Sequence, residues 1–306
     1  MHLIIVDRSQ RITASEWMKE RKMTEIKWHK GTESHMQIKE NKGVVWLSYP
    51  AFEKFPDIVQ AFSTRLGGVS QGIYSSMNLS FTRGDDEASV HENYRRFAAA
   101  VGFEAEDIVT SDQTHTANVR VITEADRGNG ITKPRQYTDV DGMITNVPGL
   151  VLATFYADCV PLYFVDPVHH AIGLSHSGWR GTVAKIGAVT VERMREEYGS
   201  DPGDIYSAIG PSICQDCYEV SEDVTQEFRT AFGRKDWDAL FYRKENGKYQ
   251  LNLWEANRII MQEAGIREEH ISMPGICTCC NPEFLFSHRA SHGKRGNLGA
   301  FLGIRK

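Results

Sequence analysis

The sequence of 306 residues predicts one mixed α/β domain, in which helices flank mixed β-sheets. Residues 150–166 form the most apolar run of the chain, which is typical of a strand at the centre of a sheet. Residues 171–199 then have the pattern of a strand, a tight glycine turn and a helix. We detect no repeat or proline-rich linker, so a single domain is assigned to 44–306. The polar residues 1–43, with a possible short helix around 14–22, are interpreted as a peripheral N-terminal extension.

The strand–turn–helix unit is a candidate binding site for a metal or an anion. Residues 171–176 are an apolar run bounded by Gly and Ser. Thr182 is predicted to be the N-cap of the following helix, because hydroxyl side chains satisfy the free amides there. Apolar residues recur at helical spacing as far as Tyr198, and Gly199 closes the helix. His176 therefore ends a strand next to free helix N–H groups, an arrangement that can hold a metal or an anion.

The remaining elements follow from periodicity. Short apolar runs predict strands within 44–52, 58–80, 108–115, 118–123, 139–149, 204–220, 271–280 and 284–304. Apolar residues at helical spacing predict helices over 86–101, 221–233 and 252–265. Since Pro161 cannot donate a hydrogen bond to a sheet, the central run is expected to bulge at Asp158 and Cys159.

Composition limits the classes of function. The net charge of −5 argues against binding to a nucleic-acid backbone, which favours basic proteins. No apolar run approaches the length of a membrane span, and the N-terminus lacks the features of a signal peptide. All six cysteines lie in the second half of the chain, and three of them crowd into the sequence CTCC. We therefore expect reduced thiols in a cytoplasmic protein rather than a disulfide framework.

Three segments end in metal-ligand residues where predicted central strands stop. They provide His115 in DQTH, Cys159 in ADCVP and His176 in LSHSGWRG. Two imidazoles and one thiolate suit zinc, and three protein ligands leave a fourth position for water or substrate. Asp158 and Gln113 stand beside these residues and are candidates to fix the tautomer of an imidazole. The alternative is that these are ordinary buried polar residues.

The other cysteines allow a competing metal site. Cys214 and Cys217 form one C-x-x-C pair, and Cys277 and Cys280 form a second. Paired thiols are the unit of a structural zinc site, but the gap between these pairs is longer than in compact zinc ribbons. Buried or incidental thiols remain the alternative, and Cys279 is left without a role.

Cys159 also permits an enzyme without a metal. It can act as a nucleophile, with His176 or His115 as the base. The apolar flank of Cys159 would raise the pKa of its thiol, so activation requires a nearby cation.

Glycines and arginines suggest sites for an anion. Gly67, Gly68 and Gly72 lie close together after Arg65, and backbone amides in such a loop can wrap an anion, although a glycine loop without a strict template is more often a plain surface turn. Arginine side chains in loops can bind phosphate through two hydrogen bonds. The loop arginines near glycines are Arg65, Arg180, Arg289 and Arg295.

Six motifs resemble one known family and occur here in its order. They are FSTRLGGVS, DQTH, ADCVPLYFVD, HSGWRG, IGPSI and a terminal FSHRA…GKRG. They are similar to the laccase-like polyphenol oxidase family, later reassigned as purine nucleoside phosphorylases, over residues from about 45 to 304. One departure is that His288 precedes a single Arg289, where the family often has a tyrosine and two arginines.

The resemblance implies a cysteine-hydrolase-like fold of the cytotoxic necrotising factor type, with zinc held by His115, Cys159 and His176. It implies phosphorolysis of adenosine, inosine, guanosine or methylthioadenosine, and deamination of adenosine to inosine. Some members look like amidases that edit a peptidoglycan precursor, and others were described as copper oxidases of phenols. Copper fits this sequence poorly, because none of its eleven histidines forms the His-x-His pair of multicopper oxidases.

We therefore expect a zinc-dependent purine nucleoside phosphorylase and adenosine deaminase, with nucleosides and phosphate as its partners. It is expected to bind no nucleic acid or membrane and to be a monomer or a weak homo-oligomer. Catalytic roles are assigned to His115, Cys159, His176 and Arg180. Substrate contacts are assigned to Arg65, Gly68, Asn78, Gln113 and Asp158. The alternatives are a zinc or thiol amidase acting on a cell-wall precursor, and a non-enzymatic partner protein with structural zinc.

Overall fold

The computed structural model describes residues 3–6, 10–13, 25–29 and 36–306, and the helix predicted around 14–22 lies outside them. The strands are β1 (Leu3–Val6), β2 (Gln10–Thr13), β3 (Gln37–Asn41), β4 (Val44–Ser48), β5 (Ile58–Ser63), β6 (Ile108–Thr110), β7 (Val119–Val121), β8 (Gly142–Thr145), β9 (Val151–Tyr156), β10 (Val160–Asp166), β11 (Ala171–Ser177), β12 (Tyr206–Ile209), β13 (Glu219–Val220), β14 (Phe241–Arg243), β15 (Tyr249–Leu251), β16 (Ile271–Ser272) and β17 (Leu298–Ile304). The α-helices are α1 (Glu87–Val101), α2 (Trp179–Val183), α3 (Ile186–Tyr198), α4 (Glu222–Ala231), α5 (Trp237–Leu240) and α6 (Leu253–Glu263).

The strands form two large sheets and one small sheet. The larger has the order β2–β1–β3–β4–β5–β17–β9–β6, and the second has the order β16–β12–β10–β11–β8–β7. Strands β13, β15 and β14 form the small sheet. Both large sheets are mixed: β9 pairs antiparallel with β17 and parallel with β6, and β11 pairs antiparallel with β10 while β7 pairs parallel with β8. The predicted mixed α/β domain is confirmed.

The two large sheets pack against each other, with helices on their outer faces. Tyr163 of β10 lies in the core between the sheets, whereas its neighbour Phe164 packs in a second core with α3 and α6. Helix α1 covers the outer face of the eight-stranded sheet through Tyr94 and Phe97. Because both faces of β10 are covered, all seven of its residues are buried, which explains its continuous apolar sequence.

The central apolar run is two strands in two different sheets, so the predicted bulge within one strand is wrong. Strand β9 belongs to the eight-stranded sheet and β10 to the six-stranded sheet. The chain crosses between them at 157–159, where Asp158 has a φ of 91°. A change of sheet requires a break in the ladder that a bulge does not provide, and it leaves Cys159 at the junction.

The helix after β11 is interrupted, so the prediction that Thr182 is its N-cap is also wrong. Helix α2 begins after Gly178 and contains Thr182, whose hydroxyl donates to the carbonyl of Gly178 at 2.9 Å. Lys185, with a φ of 55°, separates α2 from α3. Gly199 ends α3 in the left-handed conformation, as predicted.

The ends of the chain join the sheets. Strand β3 pairs along its whole length with β4, so the boundary placed at residue 43 falls within a hairpin. Residues 284–297 form turns rather than the start of a strand, and their apolar side chains, such as Leu285 and Phe286, fill the core between the sheets. Within the part of the chain described here, no helix has the length and apolarity needed to cross a membrane.

Candidate metal centre

Three distant segments bring His115, Cys159 and His176 to one point. Cys159 lies where β10 begins and His176 near the end of the neighbouring β11, while His115 comes from the loop after β6. One ligand atom from each side chain lies within 4.8 Å of the others. His176 is 2 % exposed, Cys159 is half-buried and His115 is exposed to solvent. The cluster therefore has a buried side made by the sheets and an open side.

The backbone is strained on both sides of this cluster. His115 has a φ of 68° and Asp158, next to Cys159, has a φ of 91°. Left-handed backbone at residues other than glycine costs about 1–3 kcal/mol and persists only where surrounding contacts hold it. Such strain is concentrated at functional sites, and here it orients an imidazole and a thiol toward each other.

Asp141 organises the cluster, and sequence reasoning missed it. This fully buried carboxylate places Oδ1 at 2.7 Å from Nδ1 of His176. It also accepts hydrogen bonds from the backbone amides of Thr114 at 2.9 Å, His115 at 3.1 Å and Thr116 at 3.0 Å. The contact to Nδ1 leaves Nε2 of His176 free to face Cys159.

Asp158 and Gln113 were expected to fix an imidazole, and that prediction is wrong. The side chain of Gln113 accepts from the amide of Phe155 and donates to its carbonyl, both at 2.7 Å. Asp158 accepts from the hydroxyl of Thr278 and from the amide of Arg289, both at 2.7 Å. Both side chains therefore hold neighbouring backbone in place rather than an imidazole.

Cys159, His176 and Asp141 stabilise each other's charged forms. Burial raises the pKa of the Cys159 thiol, but the neighbouring imidazole of His176 lowers it by more than burial raises it. The pKa of Cys159 therefore lies below its usual value. Burial lowers the pKa of His176, but Cys159 and Asp141 together raise it above its usual value. Burial also raises the pKa of Asp141, yet hydrogen bonds from His176 and Thr116 bring it down to about 2. Without a metal, the favoured state is a thiolate and an imidazolium beside a carboxylate.

The cluster opens into a cavity of about 990 Å³. All three candidate ligands and Gln113 line it. Cationic and aromatic side chains form much of the remaining wall. They are Arg83, Lys133, Arg135 and Arg295, together with Phe81, His91, Tyr94, Phe155 and Tyr156. A cavity with positive charge and aromatic rings beside metal ligands suits a flat, polar substrate and an anion.

Arg295 is the member of the predicted arginine set that lines the cavity. Its Nη1 donates to the carbonyl of Gly296 at 3.3 Å and to the side chain of Asn297, while its buried Nε has no partner among the described residues. Burial and the nearby Arg83 lower the pKa of Arg295 to about 10. A half-buried guanidinium that lines the cavity is suited to bind an anion there.

Two other predicted arginines have different surroundings. Arg65 donates to the carbonyls of Ser75 at 3.0 Å and Pro282 at 2.6 Å, which joins two loops. Arg180 is exposed and lies over the ring of Trp179 at 4.3 Å. Neither arginine is among the described residues that line the cavity.

Amides of the glycine loop pair with side chains of the protein instead of wrapping an anion, which corrects that expectation. The amide of Gly68 donates to Oγ of Ser76 at 3.1 Å, and the amide of Val69 donates to Oδ1 of Asn93 at 2.8 Å. A Cβ at Gly68 would lie 2.1 Å from the carbonyl oxygen of Ser76. Glycine is thus required at Gly68 by close packing.

Asn78 is likewise a structural residue. Its fully buried side chain donates to Asp85 at 2.9 Å and accepts from the amides of Ser80 at 3.1 Å and Asn297 at 2.9 Å. Its amide and carbonyl groups are therefore used in joining the loop before α1 to the segment that leads into β17.

Comparison with known proteins agrees with the motifs. The family described as multi-copper polyphenol oxidoreductase laccase matches residues 59–305, which include the whole cluster. The chain belongs to this family.

Relatives in the laccase family carry names from nucleoside metabolism. The purine nucleoside phosphorylase YlmD of Bacillus subtilis is 38% identical over 254 residues, covering 82% of this chain and 90% of the relative. The adenosine deaminase RL5, from an unknown prokaryotic organism, is 35% identical over 240 residues, covering 78% and 91%. The crystal structure of YlmD from Geobacillus stearothermophilus has a TM-score of 0.81 and 37% identity, covering 85% of this chain and 96% of that one.

Proposed function

We propose that this protein is a zinc-dependent purine nucleoside phosphorylase that also deaminates adenosine. The observation that carries the proposal is the convergence of His115, Cys159 and His176 within 4.8 Å, at the wall of a cavity that also contains Arg295. The names of the relatives support nucleosides and phosphate as its substrates.

The donor set supports zinc at this site. Two imidazoles and one thiol match the ligands that zinc prefers, and three protein ligands leave one coordination position open. Asp141 beside His176 is the kind of outer partner that orients metal-bound imidazoles. Zinc bound by three side chains supplies Lewis-acid chemistry at its free position. A multicopper oxidase would need His-x-His pairs, which the sequence does not contain.

Different side chains of the cavity wall would bind the phosphate and the purine base. Arg295 and Arg83 would hold phosphate against the ribose, since their positive charges lie together in the cavity. Phe81 and Phe155 offer aromatic surface to the purine base. The volume of about 990 Å³ is within the usual range of roughly 300–1,000 Å³ for small-ligand sites and accommodates both substrates.

The finer assignments follow the same reasoning. The candidate substrates are adenosine, inosine, guanosine and methylthioadenosine, each converted with phosphate to the free base and the sugar 1-phosphate. Reduced cysteines support a cytoplasmic location. The two packed sheets between helices support the cysteine-hydrolase-like classification. A monomer or a weak homo-oligomer remains the expected state.

The direct test of this function is product analysis with adenosine. With phosphate, we expect ribose 1-phosphate in an amount equal to adenine plus the hypoxanthine that comes from deaminated substrate; without phosphate, we expect only inosine and ammonia. The His176→Ala variant should lose both reactions, because it loses a metal ligand and the contact to Asp141. No products from adenosine with the zinc-loaded protein would contradict the proposal.

A second candidate is a thiol amidase that acts on a cell-wall precursor. It is favoured by the row of Cys159, His176 and Asp141, which has the nucleophile, base and orienting carboxylate of a catalytic triad. Its activity would survive chelation of zinc and be lost on alkylation of Cys159. Release of an amino acid from the precursor by metal-free protein would favour this candidate over the phosphorylase.

A further inference from the structure

The structure gathers a second group of possible metal ligands, separate from the cavity. Cys214 and Cys217 lie in the turn after β12, whereas Cys277 and Cys280 lie in the segment after β16. One sulfur from each of these four residues lies within 4.8 Å of the others. The two C-x-x-C pairs, which sequence spacing alone could not join, thus face each other.

The sulfur separations match one metal ion. Sγ of Cys280 lies 4.0 Å from Sγ of Cys214 and 3.5 Å from Sγ of Cys217. Four sulfurs at about 2.3 Å from a tetrahedral zinc would be about 3.8 Å apart. A disulfide brings its sulfurs to about 2.05 Å, so these thiols are not bonded to each other.

The surroundings are those of a closed structural site. Cys214 and Cys277 are buried, and all four residues pack in the core outside the six-stranded sheet. The backbone amide of Cys214 donates to Sγ of Cys277 at 3.2 Å, and the amide of Cys217 donates to the carbonyl of Cys214 at 3.2 Å, which closes the turn between the first two cysteines. An N–H donor to sulfur, such as the amide of Cys214, stabilises thiolates that share a metal. Four protein ligands leave no position for a substrate.

We propose that Cys214, Cys217, Cys277 and Cys280 bind one structural zinc ion, in addition to the site in the cavity. Neither the phosphorylase nor the amidase function requires this second ion for its chemistry. Four thiolates at such short separations repel one another unless a cation lies between them, and a divalent ion would offset half of their charge.

The proposed ion fastens segments that support the cavity. Between the ligands Cys277 and Cys280, Thr278 donates its hydroxyl to Asp158 at 2.7 Å, immediately before Cys159. Arg289 donates to the carbonyl of Cys217 at 3.2 Å, and its amide donates to Asp158. The four-cysteine site is therefore a positioning element for the backbone that carries the Cys159 thiol.

The same segment anchors the early part of the chain. Asn281 accepts from the amide of Lys27 at 2.7 Å and donates to its carbonyl at 3.0 Å. The imidazole of His29 hydrogen-bonds to the thiol of Cys214. Binding of zinc should therefore hold residues 25–29 against the domain.

The test counts zinc in variants that lack the cavity site. In the His115→Ala/Cys159→Ser/His176→Ala protein, purified under reducing conditions, we expect one zinc per chain. Adding Cys280→Ser should remove that zinc. Adding Cys279→Ser instead should leave it in place, because Cys279 lies in the same CTCC segment but outside the cluster. This count does not depend on any nucleoside activity.

A spectroscopic measurement on the triple variant tests the same site if the added Cys280→Ser substitution prevents folding. Cobalt exchanged into the triple variant should give the strong visible absorption of a tetrahedral thiolate site. X-ray absorption spectra of the zinc-loaded triple variant should fit four sulfurs at about 2.3 Å from the metal. A triple variant that folds without zinc, or that loses equal zinc with Cys279→Ser and Cys280→Ser, would overturn the proposal. Disulfides found between the four residues in the freshly reduced protein would overturn it as well.

Discussion

Oδ1 of Asp141 lies 2.7 Å from Nδ1 of His176 and also accepts the amide of His115 at 3.1 Å. One buried carboxylate thus orients the imidazole of one candidate ligand and the backbone of another. It acts from the loop before β8, which itself pairs with β11. The geometry of the metal centre therefore depends on the packing of the six-stranded sheet as well as on the ligands.

Replacing Asp141 tests this relationship. Asp141→Asn removes the charge that supports the His176 imidazole, and we expect zinc affinity at the cavity site to fall by about 10–100-fold. The measurement is competition for zinc against a chelator, in protein that lacks Cys280. The control is Asp139→Asn, because Asp139 accepts from Thr114 and Thr116 in the same loop but has no described contact with His176. Equal affinities for the two variants would contradict the role of Asp141.

The metal-free protein should contain a reactive thiol. Since His176 keeps the pKa of Cys159 below its usual value, alkylation of Cys159 by iodoacetamide should already be fast at neutral pH and slow as pH falls through that lowered pKa. Mass spectrometry of the modified peptide measures the rate at each pH. His176→Ala should move the midpoint to higher pH, and zinc should protect the thiol. A midpoint that His176→Ala leaves unchanged would exclude the ion pair.

Substitution of two arginines tests which of them binds phosphate: Arg295, which lines the cavity, or Arg180, which the sequence suggested. Arg295→Ala should raise the KM for phosphate by about 10–100-fold, since hydrogen bonds from a charged donor contribute about 1.5–3 kcal/mol. Arg180→Ala should have a small effect, because Arg180 lies exposed over Trp179. Steady-state rates at varied phosphate with saturating inosine provide the comparison. The reverse order of effects would return the phosphate role to Arg180.

The cluster should also be sensitive to bulk at Gly178. A Cβ there would lie 2.9 Å from Cδ2 of His115 and 3.3 Å from Sγ of Cys159, so Gly178→Ala should displace a ligand and lower zinc occupancy of the cavity site. The matched control is Gly187→Ala in α3, where the nearest atoms lie at 3.4 Å, an ordinary contact. Zinc content and thermal unfolding are measured for both. Full occupancy in Gly178→Ala would show that the ligands lie elsewhere.

Local patterns were sufficient for most of the elements. Helix α1 begins after Asp86, whose side chain accepts from the amide of Ser89 at 2.8 Å, and it ends at Gly102, so its limits follow from neighbouring residues. The split between β9 and β10 was not predictable in this way. Both strands are apolar because each is covered on two faces, and hydrophobicity does not tell which sheet a strand joins.

The candidate site was likewise only partly predictable from local sequence patterns. His115, Cys159 and His176 were found because each has metal-ligand chemistry and was predicted to end a strand, although only His176 lies within one. Asp141 was missed because it is one of two aspartates in the sequence DVDG, and only the fold shows which one meets His176. The partner of the glycine loop was not predictable either, because Asn93, which accepts from the amide of Val69, comes from helix α1, beyond the local pattern.

We propose that one zinc ion held by two imidazoles and one thiol makes this cavity active on purine nucleosides. The most direct measurement is adenosine turnover with phosphate by His176→Ala, compared with the zinc-loaded wild-type protein. We expect the folded variant to produce neither ribose 1-phosphate nor inosine. Turnover by the variant at the wild-type rate would contradict this proposal.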